Sequence, residues 1–268
     1  MTKVNPPTEA AARGIAHADY VAGLAKGLAV LECFDTERQR LNATQAAQRA
    51  GLTRAAARRH LLTLAELGYL ESLDGHFWLS PRVLRLAGAY LASARLPRVV
   101  QPTLNRLAAD TQDAYSVAVL DGDEVVIVAQ GAHPALAGRL LAYGRHLGAR
   151  LPAHATSTGR VLLAALPPAA LGAWLRGRTL ARLTPNTLTD TRRLRSALDA
   201  VIEQDHCQAV EEHELGVAAL AVPLRTGQGA TVAALNVILS PDRLAAPGVA
   251  AATLARLKAA ARELRELL

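Results

Sequence analysis

The segment 41–78 constrains the fold more than any other part of the chain, because helix and turn signals follow one another there at short spacing. Asn42 and Gln45 are spaced as in a capping box, in which each side chain bonds the backbone N–H of the other residue. A helix is expected to begin there, and Gly51 ends it because glycine tolerates a left-handed conformation. Thr53 is placed to cap a second helix directly after this turn. The pattern predicts two short helices joined by a tight turn.

The sequence after these helices predicts a β-hairpin. Asp74-Gly75 lies between two short β-prone runs, 69–73 and 76–79, and Asp-Gly in that setting is a strong hairpin signal. A helix upstream, over about 23–34, supplies the apolar positions of a three-helix core: Leu24, Leu28, Leu31 and Cys33 or Phe34. These features predict a winged helix-turn-helix, with an ordinary αα-hairpin followed by a strand as the alternative.

The charge of this region indicates DNA as a partner. Six arginines and no acidic residue lie within 38–59, and such a surface attracts phosphates through counterion release, although a solvated basic face has the same composition. In a helix-turn-helix the N-terminal residues of the second helix enter the major groove. The candidate DNA-binding residues are Asn42, Thr44, Thr53, Arg54, Ala55, Arg58, Arg59 and, at the tip of the wing, Gly75.

Composition sets wider limits. With 268 residues, 51% hydrophobic residues and 20% charged residues, the chain is long and apolar enough for two ordered domains. The net charge of +7 suits an anionic partner. Arginine and not lysine supplies nearly all of the positive charge, and genome composition also produces such a bias. No apolar run spans a membrane and no signal peptide is recognisable, so a cytoplasmic protein is expected. Cys33 and Cys207 are expected to be buried free thiols.

The element pattern predicts an α+β protein with four parts: a flexible arm (1–20), the winged helix-turn-helix (21–80), a linker helix that Pro81 opens and Pro97 ends (81–97), and a domain with an antiparallel sheet (98–268). The last domain is expected to contain helices at 99–111, 157–166, 191–205 and 247–268, and strands at 115–120, 124–130, 139–143, 207–210, 217–224 and 232–239.

The chain from about residue 22 to its end resembles the IclR family of bacterial transcriptional regulators. The resemblance is carried, in order and spacing, by the segments 25–31, 51–59, 67–70, 151–160, 214–217, 221–224 and 233–237. Thr53–Arg59 and Pro152–Ser157 look most like the PcaR, PcaU and PobR group, which controls catabolism of protocatechuate and 4-hydroxybenzoate. The resemblance implies a winged helix joined to a GAF-like effector domain, dimers or tetramers, and a small organic acid that switches operator affinity. The loop 131–137, which would border the effector pocket, is longer than usual in the family.

The residues of the second domain include candidates for binding an acid. Thr156, Ser157 and Thr158 lie at the start of a predicted helix, where free N–H groups and the helix dipole favour a carboxylate, although a hydroxyl cap without a ligand fits as well. Arg139 either pairs with the carboxylate or lies on the surface of an edge strand. Asn236, in an apolar strand, bonds either a ligand or a neighbouring carbonyl.

The family resemblance adds further effector-binding candidates. It implies apolar walls from Ala209, Val217, Ala219 and Ile238, with Tyr115 and His154 within reach of a ring hydroxyl. Apolar walls with few polar anchors are typical of a site for an aromatic acid.

Sequence motifs of enzymes are missing, so neither catalysis nor a cofactor is expected. The run 211–214 with His206 and Cys207 has metal-binding residue types, but its spacing favours a solvated acidic turn over a metal site. The leading hypothesis is a ligand-responsive regulator of aromatic-acid catabolism. The alternatives are a constitutive DNA-binding regulator whose GAF-like domain serves only oligomerisation, and a family member that senses a different small organic acid. Activation or repression, the exact effector and the operator sequence are left open.

Overall fold

The computed structural model of the protein describes residues 17–35, 38–133 and 146–268. The chain divides into two compact units, one reaching Ala92 and the other running from Ser93 to Leu268. Within the described ranges, no helix is both long enough and apolar enough to cross a membrane.

The first unit contains the predicted helix-turn-helix. Its elements are α1 (Ala22–Leu31), β1 (Leu41–Asn42), α2 (Ala43–Ala50), α3 (Arg54–Glu66), β2 (Leu70–Leu73), β3 (His76–Leu79) and α4 (Leu84–Ser93). The capping box is confirmed, because Asn42 accepts the Gln45 N–H and Gln45 accepts the Asn42 N–H. Gly51 is left-handed at φ 64°, and Thr53 caps α3 by accepting the Ala56 N–H. Local signals therefore place both helices.

The predicted hairpin is present as β2 and β3, and both turn residues have positive φ, 49° at Asp74 and 75° at Gly75. A third strand, β1, pairs with β3 on its other side and gives the sheet order β1-β3-β2. Leu41 lies opposite Phe77 in this pairing. A strand of two residues leaves no periodic pattern, so sequence reasoning did not predict it. This pairing joins the residues directly before α2 to the β2–β3 hairpin, which is the wing.

The core of the first unit differs from the expectation at α1. Leu24 and Leu28 were predicted to be core residues, but their exposed fractions are 63% and 48%. The buried residues of this segment are Ala29, Val30, Cys33 and Phe34. The prediction was wrong because α1 is apolar on nearly all sides, so that its hydrophobic spacing does not select one face.

The predicted linker helix over 81–97 is in fact two helices. After a 3-10 turn at Pro81–Val83, α4 ends at Ser93, and a new helix, α5, runs from Arg95 to Thr111. Pro97 lies in the first turn of α5, where a missing N–H costs no intrahelical hydrogen bond. This proline therefore lies at the beginning of a helix and does not end one.

The second unit contains a six-stranded sheet and its covering helices. Besides α5, the elements are β4 (Ala114–Asp121), β5 (Glu124–Ala132), β6 (Arg150–Pro152), α6 (Ser157–Ala164), α7 (Pro168–Leu175), α8 (Thr191–Gln204), β7 (Cys207–Val210), β8 (Ala218–Arg225), β9 (Thr231–Leu239), α9 (Pro241–Ala245) and α10 (Val249–Arg265). The sheet has the order β6-β5-β4-β9-β8-β7 and is antiparallel throughout, as the predicted fold class requires. The predicted strand at 139–143 lies outside the described residues. Strand β6 and helices α7 and α9 were not predicted.

Helices cover both faces of this sheet. On one face, strand residues such as Val117 and Leu235 pack with Leu104 of α5 and Leu257 of α10. On the other face, smaller strand residues pack with α6 and α8. Because successive residues of a strand alternate between faces, Ser116 and Asn236 belong to this second face. The candidate effector site lies there.

Candidate DNA interface and effector cleft

The first turn of α3 presents the predicted DNA-binding surface. Ala57 and Leu61 are buried against the rest of the unit, and the opposite side of the helix start is exposed. The exposed residues include Thr53, Arg54, Ala55, Arg58 and Arg59. The structure brings these five candidates together on one side of the helix, with a geometry that suits entry into a groove.

The other candidates of this interface lie apart from α3. Thr44 and Gly75 are exposed. Asn42 is partly buried, and its side-chain oxygen accepts two backbone N–H groups of α2. Only the amide nitrogen of Asn42 is left for a contact with DNA.

One of the six arginines is already neutralised. Arg49 forms an ion pair with Asp35, and its side chain is only 18% exposed. The count over 38–59 missed this pair because Asp35 precedes the window by three residues. Arg49 is therefore not a free phosphate ligand.

Sequence reasoning did not select Arg40, which lies beside the wing. Its guanidinium stacks on the ring of Trp78, 4.4 Å from the ring centroid, and the indole N–H of Trp78 donates to Glu71 at 2.9 Å. Arg40 is exposed, so its N–H groups can reach a phosphate at the edge of the stack.

The second unit contains a cleft between the start of α6, strands β8 and β9, and the loop 211–217. Its volume is about 380 Å³, counting the open mouth. Seven predicted residues line it: Thr156, Ser157, Thr158, Ala209, Val217, Ala219 and Asn236. Sequence reasoning missed five others: Leu151, Ala155, Glu212, His213 and Glu214.

The start of α6 supplies hydrogen-bond donors to this cleft. Thr156 caps the helix, and its hydroxyl accepts the Gly159 N–H at 3.2 Å. The N–H groups of Ser157 and Thr158 are the first of the helix and have no intrahelical acceptor. Ser157 is only 1% exposed, and its hydroxyl has no hydrogen-bond partner among the described residues. Most buried polar groups in proteins have a hydrogen-bond partner, so this hydroxyl is a candidate donor for a molecule bound in the cleft.

Gly159 allows the preceding turn to pack against α6. A Cβ at this position would lie 2.1 Å from the carbonyl oxygen of Ala153. The close approach fixes the turn Ala153–Ala155 against the first turn of the helix, and it holds the N–H groups of Ser157 and Thr158 in place.

Asn236 supplies a polar group from the sheet. Its side-chain oxygen accepts a hydrogen bond from Ser116, the residue opposite it on β4, at 2.5 Å. The partner of this oxygen is a hydroxyl; a neighbouring carbonyl could be bonded only by the amide nitrogen, because a carbonyl has no hydrogen to donate. Since the oxygen is used, the amide nitrogen of Asn236 remains as a donor for the cleft.

A buried ion pair joins α6 to the loop 211–217. Arg160 donates through Nη1 to Glu212 Oε1 at 2.7 Å and through Nη2 to Oε2, and the two side chains are 5% and 11% exposed. The third nitrogen, Nε, donates to the His154 carbonyl oxygen at 2.9 Å. The interpretation of 211–214 as a solvated acidic turn is wrong at Glu212, whose partner lies 52 residues earlier in the chain.

Three of the predicted effector residues that the structure describes, His154, Tyr115 and Ile238, do not line the cleft. His154 is buried, and its Nε2 lies 3.0 Å from the Ala181 carbonyl, while burial lowers the pKa of its imidazole. Tyr115 lies opposite Val237 on the other face of the sheet and bonds Thr111. Ile238 follows Asn236 on the cleft face, just beyond the lining residues. Arg139 lies outside the described residues. The roles given to His154 and Tyr115 are therefore corrected.

The thiols are buried as expected. Cys33 and Cys207 are free, and burial raises the pKa of each to about 11. Over the described part of the chain, no group of three or more His, Cys, Asp or Glu residues is arranged to hold a metal ion.

Comparisons with known proteins agree with this architecture. Residues 23–74 match the IclR helix-turn-helix domain and residues 88–266 match the bacterial transcriptional regulator IclR C-terminal domain. The chain is 50% identical over 250 residues to the p-hydroxybenzoate hydroxylase transcriptional activator of Acinetobacter baylyi, covering 93% of this chain and 92% of that one. It is 49% identical over 255 residues to the Pca operon regulatory protein of the same organism, covering 95% and 91%.

A solved structure is similar to the second unit. It is a double mutant of the inducer binding domain of the PobR transcription factor from Acinetobacter, in complex with 3-hydroxybenzoic acid. The sequence identity is 46%, the TM-score is 0.60, and the match covers 64% of this chain and 98% of that one.

Proposed function

Because the chain belongs to the IclR family of bacterial transcriptional regulators, we propose that it controls genes of aromatic-acid catabolism and that a hydroxybenzoate-type acid changes its affinity for operator DNA. Membership of this family makes it a regulator and not an enzyme. The relatives named after p-hydroxybenzoate hydroxylase and the Pca operon, and the domain bound to 3-hydroxybenzoic acid, support this class of effector.

The observation that carries the proposal is the buried hydroxyl of Ser157 at the start of α6, which has no partner among the described residues. The carboxylate of the effector accepts hydrogen bonds from this hydroxyl and from the N–H groups of Ser157 and Thr158, where the helix dipole also favours an anion. The aromatic ring lies against the apolar wall of Ala209, Val217 and Ala219.

The exposed first turn of α3 and the β2–β3 wing support DNA binding by the first unit. In this proposal α3 enters the major groove with its first turn, Arg54 and Arg58 contact bases or phosphates, and the wing lies over the neighbouring backbone. A typical arginine that is bidentate to guanine contributes about 1–3 kcal/mol of discrimination.

We propose a homodimer, or a dimer of dimers, as the form that binds DNA. The first unit exposes large apolar side chains on and beside α1 and on α4, and a second copy would cover them. They are Val21, Leu24, Leu28, Leu84, Leu86 and Tyr90. Effector and operator are coupled if the effector binds the two arrangements of the dimer with different affinity.

Effector binding is tested by the thermal stability of the full-length protein with 4-hydroxybenzoate, protocatechuate and short oxo acids, followed by titrations of operator DNA with and without the stabilising acid. An effector at 100 times its Kd is expected to stabilise the protein by about 2.7 kcal/mol and to change its affinity for operator DNA. If no acid alters melting or operator binding, the chain is a constitutive regulator. If only oxo acids act, it senses another class of acid.

A further inference from the structure

We propose that Glu212 accepts a hydrogen bond from a ring hydroxyl of the effector, so that the cleft selects hydroxylated benzoates over unsubstituted benzoate. This inference rests on the proposed function, because it names the residue that recognises the ring hydroxyl of the proposed effector in the same cleft. The sequence gives no signal for this role, since Glu212 belongs to an acidic run and its partner Arg160 is distant in the chain.

The backbone of Glu212, a lining residue of the cleft, is held by hydroxyl groups of the loop 184–187. The carbonyl oxygen of Glu212 accepts hydrogen bonds from the hydroxyls of Thr187, at 2.7 Å, and Thr184, at 3.3 Å. The hydroxyl of Thr184 also donates to the Glu211 carbonyl, at 2.6 Å. Because these carbonyls are held by the loop 184–187, the carboxylate is the polar group of Glu212 that is available at the wall of the cleft.

The carboxylate of Glu212 keeps acceptor capacity after it has bonded Arg160. Each carboxylate oxygen has about two lone-pair sites. Arg160 uses one site on each oxygen, through Nη1 and Nη2. One site on each oxygen is left, and a hydroxyl at one or two ring positions can fill it.

The ion pair also explains how an anionic effector can bind beside a glutamate. An uncompensated carboxylate in so buried a place would repel the carboxylate of the effector. The guanidinium of Arg160 neutralises Glu212, and each of its three nitrogens donates a hydrogen bond within the protein. Arg160 is not among the residues that line the cleft, so we assign it as a positioning residue.

Donors and acceptors of the cleft come from different elements. The start of α6 and Asn236 offer donors, which suit a carboxylate. The ion-paired carboxylate of Glu212 can only accept, so it suits an O–H or N–H group of the ligand. A molecule with a carboxylate and a ring hydroxyl satisfies both sets, whereas benzoate leaves the free lone pairs of Glu212 desolvated against its ring.

The test compares four probes in calorimetric titrations of the full-length protein. The probes 4-hydroxybenzoate and 4-aminobenzoate carry a hydrogen-bond donor at the ring, whereas benzoate and 4-fluorobenzoate do not, and fluorine controls for the size of the substituent. The wild-type protein is expected to bind the two donor probes about 10- to 100-fold more tightly than the other two.

Three variants assign this preference to a residue. In Arg160→Met/Glu212→Leu both charges are replaced by apolar groups of similar size, so that no buried charge is left without a partner. The ratio of the affinities for donor and non-donor probes is expected to fall to about threefold or less. Glu212→Gln keeps the size and an amide oxygen, and is expected to retain a reduced preference. Glu203→Gln, a control in which an exposed carboxylate of α8 outside the cleft is neutralised, is expected to keep the wild-type preference. Operator titrations establish that each variant is folded.

The outcomes separate this inference from the proposed function. Equal binding of all four probes to the wild-type protein overturns the inference and leaves an aromatic-acid regulator. Binding of none of them overturns the proposed effector class, and the inference with it. A donor preference that survives in the double variant, or that also disappears in Glu203→Gln, shows that Glu212 is not the acceptor.

Discussion

Replacing Ser157 by alanine is expected to change stability and effector binding in opposite directions. Among the described residues, nothing bonds the buried Ser157 hydroxyl, and a buried polar group without a partner costs about 1–3 kcal/mol. Ser157→Ala removes this cost, so the free energy of unfolding is expected to rise by about 1 kcal/mol. For a unit of this size that corresponds to an increase in Tm of about 2–4 °C.

The effector loses a hydrogen bond in the same variant. A hydrogen bond to a charged group contributes about 1.5–3 kcal/mol, so the Kd for 4-hydroxybenzoate is expected to rise about 10- to 100-fold. Melting curves of the ligand-free protein and calorimetric titrations with 4-hydroxybenzoate measure the two effects separately.

Thr156→Ala serves as the control, because it removes the cap that bonds the Gly159 N–H. This variant is expected to lose about 1 kcal/mol of stability. The reasoning is refuted if Ser157→Ala melts at a lower temperature than the wild-type protein without ligand, or if it binds 4-hydroxybenzoate with unchanged affinity.

Three further changes test other parts of the structure. Arg58→Ala is expected to weaken operator binding and, if Arg58 contacts a phosphate, to lower the slope of log K against log salt concentration by about one unit. Arg49→Ala is expected to leave that slope unchanged, because an aspartate already neutralises Arg49. Operator titrations at several salt concentrations measure both slopes. Gly159→Ala places a Cβ against the carbonyl of Ala153 and is expected to cost about 3 kcal/mol or more, as urea unfolding would measure. Burial lowers the pKa of the His154 imidazole in the folded protein, so as the pH falls below 6.5 the unfolded chain binds a proton before the folded protein does, and stability is lost. His154→Gln is expected to flatten this dependence of stability on pH. Thermal melts between pH 7 and pH 5 measure it.

The DNA-binding unit could be predicted in detail because its signals are local. Caps at Asn42 and Thr53, a left-handed Gly51 and the Asp74-Gly75 turn each depend on residues within a few positions. Strand β1 was missed because its two residues take their conformation from a distant partner, β3.

The effector site could be predicted only where it is local. The hydroxyl residues at the start of α6 follow from helix chemistry, but the pairing of Glu212 with Arg160 joins distant segments. Tyr115 shows that the register of a strand decides which residues face the cleft. It lies opposite Val237, one position from Asn236, and a shift of one position on a strand moves a side chain to the other face of the sheet. No pattern within β4 alone fixes that register.

The donors at the start of α6 have a consequence for how this chain can diverge. Two of the groups that we propose bind the carboxylate are backbone N–H groups, which almost any residue would supply, provided that Gly159 keeps the turn in place. In that proposal, substitutions in the loop 211–217 or at Ala209 exchange one ring for another while recognition of the carboxylate persists. A change of inducer then requires substitutions in the wall of the cleft and none in the groups that bind the carboxylate.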